Sequence, residues 1–240
     1  MLSNVLLSCA VLCLLVTVHE IGHYLAALAF RIRADVFSIG FGPGVTLFRW
    51  RGTAFRLGVL PLGGYVKPRE EDYEAAPAYQ RVLVAAAGPL ASIIFGILCV
   101  AYYVQVQQHV PYWQAVLATI GVTGKLLAML GHKLAGVFSH PTASISSLEV
   151  ADAGKASSTF TFMQQVKEGE SMLYSGAISA AIGLANLLPL LPFDGGHIVV
   201  GLVEMVSRRR VPGWAQGAFA LTGLALMAVL FFLSVYNDFL

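Results

Sequence analysis

The chain has 240 residues, of which 57% are hydrophobic and only 12% charged, with a mean hydropathy of +0.73 and a formal net charge of +2. About a quarter of an ordinary soluble domain is charged, so this balance excludes that class. The small net charge, with no basic run interleaved with aromatics, excludes nucleic acid as a partner and leaves the lipid bilayer and membrane-borne polypeptide.

Windows of about twenty apolar residues mark four spans, near residues 4–30, 82–104, 172–193 and 214–236. The first run lacks a basic n-region and a small-residue cleavage site, which predicts a retained segment rather than a removable signal peptide. It carries His19, Glu20 and His23 in the pattern HExxH. Residues four apart on a helix share a face, so both imidazoles reach one metal ion, with Glu20 one position along. Neutral imidazole suits zinc, the cation acidifies the water it binds towards a pKa of about 7, and the carboxylate is placed to take the proton. A chance HExxH is the alternative. Ionisable groups inside a span cost roughly 2.5–3.5 kcal/mol each on insertion scales, which argues against an idle cluster of three. Cys9, Cys13 and Cys99 lie in apolar segments without paired-ligand spacing and read as small hydrophobes.

Residues 35–67 alternate apolar runs with glycine turns and predict a small β-sheet. An edge strand here could hold an unwound stretch of polypeptide by β-augmentation, with Gly40, Gly42, Val59 and Val66 as candidate contacts. A hairpin that only braces the spans is the alternative. Between spans one and two lie Arg31, Arg33, Arg49, Arg51, Arg56, Lys67, Arg69 and Arg81, and after span three come Arg208, Arg209 and Arg210. By the positive-inside rule these regions are cytoplasmic and both termini lie on the far side.

Residues 105–171 carry balanced charge, an apolar stretch over 113–130 at helical spacing that reads as an amphipathic helix, and a polar loop over 139–161 rich in Ser, Thr, Ala and Gly. His109, His132 and His140 show no metal spacing. Late in the third span, Asn186-Leu-Leu-Pro189-Leu-Leu-Pro192-Phe-Asp194-Gly-Gly-His197 breaks the helix. Broken backbone at membrane depth is tolerated only where it is buried in protein or lines a wet cavity. Asp194 can supply a third, oxygen ligand and leave a fourth position open, and Asn186 is an amide suited to a substrate carbonyl. The alternative is a kinked span whose Asp194 bonds neighbouring backbone. His197 reads as a supporting or structural residue.

HEIGH in the first span, NLLPLLPFDGG in the third and Ala87-Gly88-Pro89 in the second resemble the site-2 intramembrane metalloproteases, closest in layout to the bacterial regulator of sigma-E protease group. The resemblance implies that His19, His23 and Asp194 bind one zinc per chain, that Glu20 is the general base, and that Asn186 helps hold substrate. It also implies cleavage of transmembrane helices in a bacterial inner membrane. That group carries PDZ domains between spans two and three, for which 105–171 is too short, so substrate selection falls to the loop or to a separate substrate-presenting partner.

The expectation is therefore an all-α polytopic membrane protein, one domain over 1–240 with about four transmembrane helices and a small membrane-associated β-hairpin sheet, acting as a zinc intramembrane endopeptidase. The alternatives are another membrane-embedded zinc peptidase, or a non-catalytic metal-binding scaffold or transporter. A transporter predicts broken helices in matching halves, and the break at 186–197 has no counterpart.

Overall fold

A computed structural model describes residues 2–139 and 171–239. In chain order these form α1 (Leu2–Ala29), β1 (Ala34–Trp50), β2 (Thr53–Pro68), α2 (Glu70–Ala75), α3 (Ala78–Gln108), α4 (Tyr112–Ser139), α5 (Ser171–Asn186), α6 (Asp194–Ser207) and α7 (Gly213–Phe239). The predicted loop over 139–161 lies outside the described residues apart from Ser139, which ends α4.

The chain divides into two compact units, one formed by residues 1–95 with 178–226 and the other by 96–177 with 227–240. In the first unit, α1 stops in a Schellman turn. Arg31 takes a left-handed conformation (φ 61°), its N–H bonds the Leu28 carbonyl, and the Ile32 N–H bonds the Ala27 carbonyl. Buried Ile32 packs on Ala27 with Ala76 and Val84. Beyond this turn Arg33 forms two side-chain bonds with Asp72, at 2.6 and 2.7 Å, and Arg69 pairs with Asp35 at 3.0 Å. The Arg33 guanidinium holds the Asp72 carboxyl at a pKa of about 2.

The β-region is two long antiparallel strands joined at Arg51-Gly52, both at positive φ (49° and 88°), as a two-residue hairpin turn of the primed type requires. Both strands bend. Residues 36–39 pair on one side with 64–67 and on the other with 54–57, while 45–50 pair with 53–57. The second half of β2 is therefore an outer edge. Tyr24 on α1 anchors the sheet. It is buried, packs edge-on against Phe37 and Phe55, and its hydroxyl meets that of Thr53, which bonds the Ala34 carbonyl. Because Tyr24 follows His23, this aromatic cluster fixes the sheet beside the HExxH turn.

Two helices among the described residues are long and apolar enough to cross a bilayer, over Cys9–Ala29 and Ala78–Gln108, and α7 adds a shorter apolar stretch over Gly213–Val229. Leu14, Leu25, Leu90, Ile94, Leu221 and Leu224 are all more than half exposed on these helices, an outward apolar surface that water does not favour and lipid does. The third predicted span departs from expectation. Its helix ends at Asn186, residues 187–193 run through turns, and a new helix starts at Asp194. Sixteen residues of α5 rise about 24 Å, short of a hydrocarbon core of about 30 Å. Pro189 and Pro192 lack the N–H a continuing helix needs.

In the second unit the predicted 113–130 helix runs on to Ser139. Its buried face carries Ala115, Thr119 and Thr123, while Trp113, Leu117, Ile120 and Val122 face outward.

Candidate metal centre

His19 and His23 occupy one face of α1, and Asp194 opens α6. Their donor atoms lie within 4.8 Å of one another. His19 Nε2 is 3.0 Å from Asp194 Oδ2, His23 Nε2 is 3.3 Å from the same oxygen, and the two Nε2 atoms are 3.2 Å apart. All three residues are buried or nearly so.

The far side of each imidazole is already engaged by α3. His23 Nδ1 donates to the Val84 carbonyl at 2.8 Å, which puts the ring proton there and leaves Nε2 a bare lone pair. His19 Nδ1 is 3.0 Å from the Ser92 hydroxyl. With both outer nitrogens engaged, the two Nε2 atoms and the Asp194 carboxylate face one another, so a cation among them would meet three donor atoms. The separations of 3.0–3.3 Å are also close to the edge of a tetrahedron with bonds of about 2.0 Å, the length of zinc bonds to nitrogen and oxygen. The donor set fits zinc, and the Val84 and Ser92 contacts are the orienting partners that metal-bound histidines use.

Glycines let these elements meet. A Cβ on Gly22 would lie 2.4 Å from the Ala87 carbonyl oxygen, so α1 and α3 touch backbone to backbone there. A Cβ on Gly88 would lie 2.2 Å from His23 Nε2 itself. At the break, Cβ atoms on Gly195 and Gly196 would collide with the backbone of residues 187–191. Pro89 inside α3 removes the donor for the Ala85 carbonyl and loosens the turn from which Val84 reaches His23.

A cavity of about 660 Å³ runs from these groups, lined by His19, Glu20, His23, Phe41, Gly64, Tyr65, Val66, Asn186, Asp194 and His197, among others. The second half of β2 lies over Glu20. A Cβ on Gly64 would come within 3.1 Å of Glu20 Cγ. Asn186 faces the cavity with one amide N–H given to the Ile182 carbonyl at 2.9 Å. His197, one turn along α6 from Asp194, lines the cavity without joining the metal cluster.

Three predicted contacts fall elsewhere. Gly40 is buried at positive φ (87°), where a Cβ would strike the Leu60 and Gly58 carbonyls, so it serves the bend of the sheet. Gly42, also at positive φ, opens to free space, and Val59 is 71% exposed away from the cavity. Of the predicted β-region contacts, Val66 lines the cavity. Val84 and Ser92 carried no signal of their own, and Gly88 stood out only within the Ala87-Gly88-Pro89 motif without its role, because these roles depend on where α3 meets α1.

Two helical histidines and a carboxylate from a broken helix form a donor set that fits zinc. Residues 8–230 match the model of peptidase family M50, the site-2 protease family, to which the chain belongs. The family is zinc-dependent. Over 335 aligned positions the chain is 23% identical to a Campylobacter jejuni protein provisionally named a zinc metalloprotease, covering 95% of this chain and 91% of that one. It is 43% identical over 96 residues to a Thermotoga maritima protein of the same provisional name, and 37% identical over 124 residues to Protease RseP of Yersinia pestis. Those two matches cover 35% and 45% of this chain, and 19% and 26% of the relatives' length. Among the described residues no PDZ domain is present.

Proposed function

We propose that the chain is an intramembrane zinc endopeptidase that hydrolyses peptide bonds within transmembrane segments of other proteins, as in the processing of anti-sigma factors or signal-peptide remnants. The observation that carries the proposal is the convergence of His19, His23 and Asp194 beside Glu20 in a cavity walled by a strand edge, on helices with apolar outer surfaces.

His19, His23 and Asp194 hold the zinc, with Ser92 and Val84 fixing the two rings. When bound, zinc supplies a Lewis acid and an acidified water. Glu20 is the general base; its carboxylate, on the cavity wall beside the two histidines, receives the proton and returns it to the leaving amine. A helical peptide bond is shielded by its i to i−4 hydrogen bonds, so the substrate must unwind first. The exposed edge at 64–66 pairs with the unwound stretch, and Asn186, with a second amide N–H still free of the Ile182 bond, faces the substrate carbonyl. Apolar surroundings exclude bulk water and strengthen each of these contacts.

Proline at Val66 removes the N–H on this edge. In vesicles, cleavage of a single-span substrate by Val66→Pro is expected to slow at least about tenfold while zinc content holds, a drop of about 1.4 kcal/mol or more in transition-state stabilisation. Unchanged cleavage would remove the strand edge from the mechanism.

We place the enzyme in a bacterial inner membrane with four spans, the third broken at the active site, and both termini extracytoplasmic. Cysteine labelling is expected to reach positions 69 and 209 from the cytoplasm and position 155 from the other side. Labelling of position 155 from the cytoplasm would invert the topology.

A further inference from the structure

One buried charged pair, of which Arg81 reaches the cavity wall, has no part in the chemistry above. Arg81 on α3 and Glu204 on α6 are an ion pair, Nη2 to Oε2 at 2.5 Å, with side chains only 10% and 3% exposed. The geometry is poor for stabilisation. Arg81 Nε and Glu204 Oε2 are buried without a hydrogen-bond partner, so the contact is Coulombic attraction at an unfavourable hydrogen-bond angle. Desolvating two charges costs several kcal/mol, and an imperfect buried pair of this kind is a weak contributor to stability. Fixing register is the better-attested use of such a pair.

The helices it joins are those that build the metal centre. On α3, Arg81 lies one turn before Val84, which bonds His23, and on the same stripe as Gly88 and Ser92. On α6, Glu204 lies ten residues, about 15 Å, beyond Asp194. Between them the face that meets α3 carries Gly201, whose Cβ would lie 2.5 Å from Val82 Cγ2. Gly195, Gly196 and Gly201 let α6 sit close but offer no side chain to resist rolling about its own axis. A carboxylate about 5 Å from the axis moves nearly 2 Å in a roll of about 20°, enough to lose contacts of 3.0 and 3.3 Å to the imidazoles. Glu204 is keyed on its other side too, since its Oε1 accepts from the Val211 N–H at 2.9 Å in the link to α7.

We propose that Arg81 and Glu204 form a buried latch that fixes the roll of α6 on α3 and so holds Asp194 in register with His19 and His23. Both are positioning residues for the metal centre. The proposal rests on the zinc reading of that centre.

The test is zinc loss to excess EDTA from the purified full chain in detergent, well below the melting temperature, for wild type, Arg81→Lys, Glu204→Gln and the double variant Arg81→Met/Glu204→Met. The single variants are expected to release zinc at least about tenfold faster than wild type, the range in which supporting residues act on metal affinity. The double variant removes both buried charges and leaves only Arg210, which is 3.7 Å from Glu204 but 46% exposed and therefore solvated, so its melting temperature recovers relative to the single variants, while zinc release stays fast because an apolar contact slides. Zinc release at the wild-type rate in the folded variants overturns the latch, as does a double variant that recovers stability and zinc retention together. A wild type that binds no zinc sinks the metal reading instead, which keeps the two failures apart.

Discussion

Glu20→Gln is expected to keep its zinc and its melting temperature and to lose proteolysis by a factor of about 10² to 10⁴, the range that a positioned acid–base group contributes. The amide retains the shape of the side chain on the cavity wall, but it cannot accept the proton. The discriminating comparison is zinc content and cleavage measured on the same preparation. Loss of both would mean that Glu20 supports the fold, and loss of neither would mean that another group is the base.

Gly88→Ala is expected to act on the metal from a residue that coordinates nothing. Its Cβ would stand 2.2 Å from His23 Nε2, and α3 has little room to retreat because α5 also meets it backbone to backbone, a Cβ on Gly183 lying 2.6 Å from the Pro89 carbonyl oxygen. The His23 ring must turn, which gives up either its bond to Val84 or its place beside Asp194. Overpacking a tight core costs about 1–3 kcal/mol, and displacing a ligand costs zinc as well. Zinc per chain should fall well below one. Gly121→Ala, on a helix where a Cβ meets nothing within 4 Å, should leave zinc unchanged. Equal zinc in the two variants would show that the ring does not lie where Gly88 meets it.

These residues separate what the sequence could disclose from what it could not. HExxH is a local code, because four residues of helix suffice to bring His19 and His23 together. Asp194 was legible for a different reason: Pro189, Pro192 and two glycines announce a break, and an acid at a break deep in an apolar segment needs a purpose. The break does not say that the helix resumes at Asp194 itself, so the third span read as one element where there are two. In the β-region the glycines signalled bends correctly, but which edge of a bent strand faces the cavity depends on how Tyr24 seats the sheet on α1. That is why Val66 lines the cavity while Gly40, Gly42 and Val59 do not. The Val84 carbonyl, Ser92, the role of Gly88 and the Arg81–Glu204 pair were invisible for a common reason. Each is set by the packing of α3 against another helix, and no spacing within α3 records its partner.

The central claim is that Asp194, reached across 171 residues from His23, completes a three-ligand zinc site with the HExxH histidines. Elemental analysis of purified Asp194→Ala beside wild type tests it most directly, since loss of one ligand of three removes a large part of the coordination energy. The account predicts about one zinc per chain in wild type and little in the variant. A folded Asp194→Ala protein that still holds about one zinc per chain would contradict it and turn attention to His197, the remaining imidazole on the cavity wall.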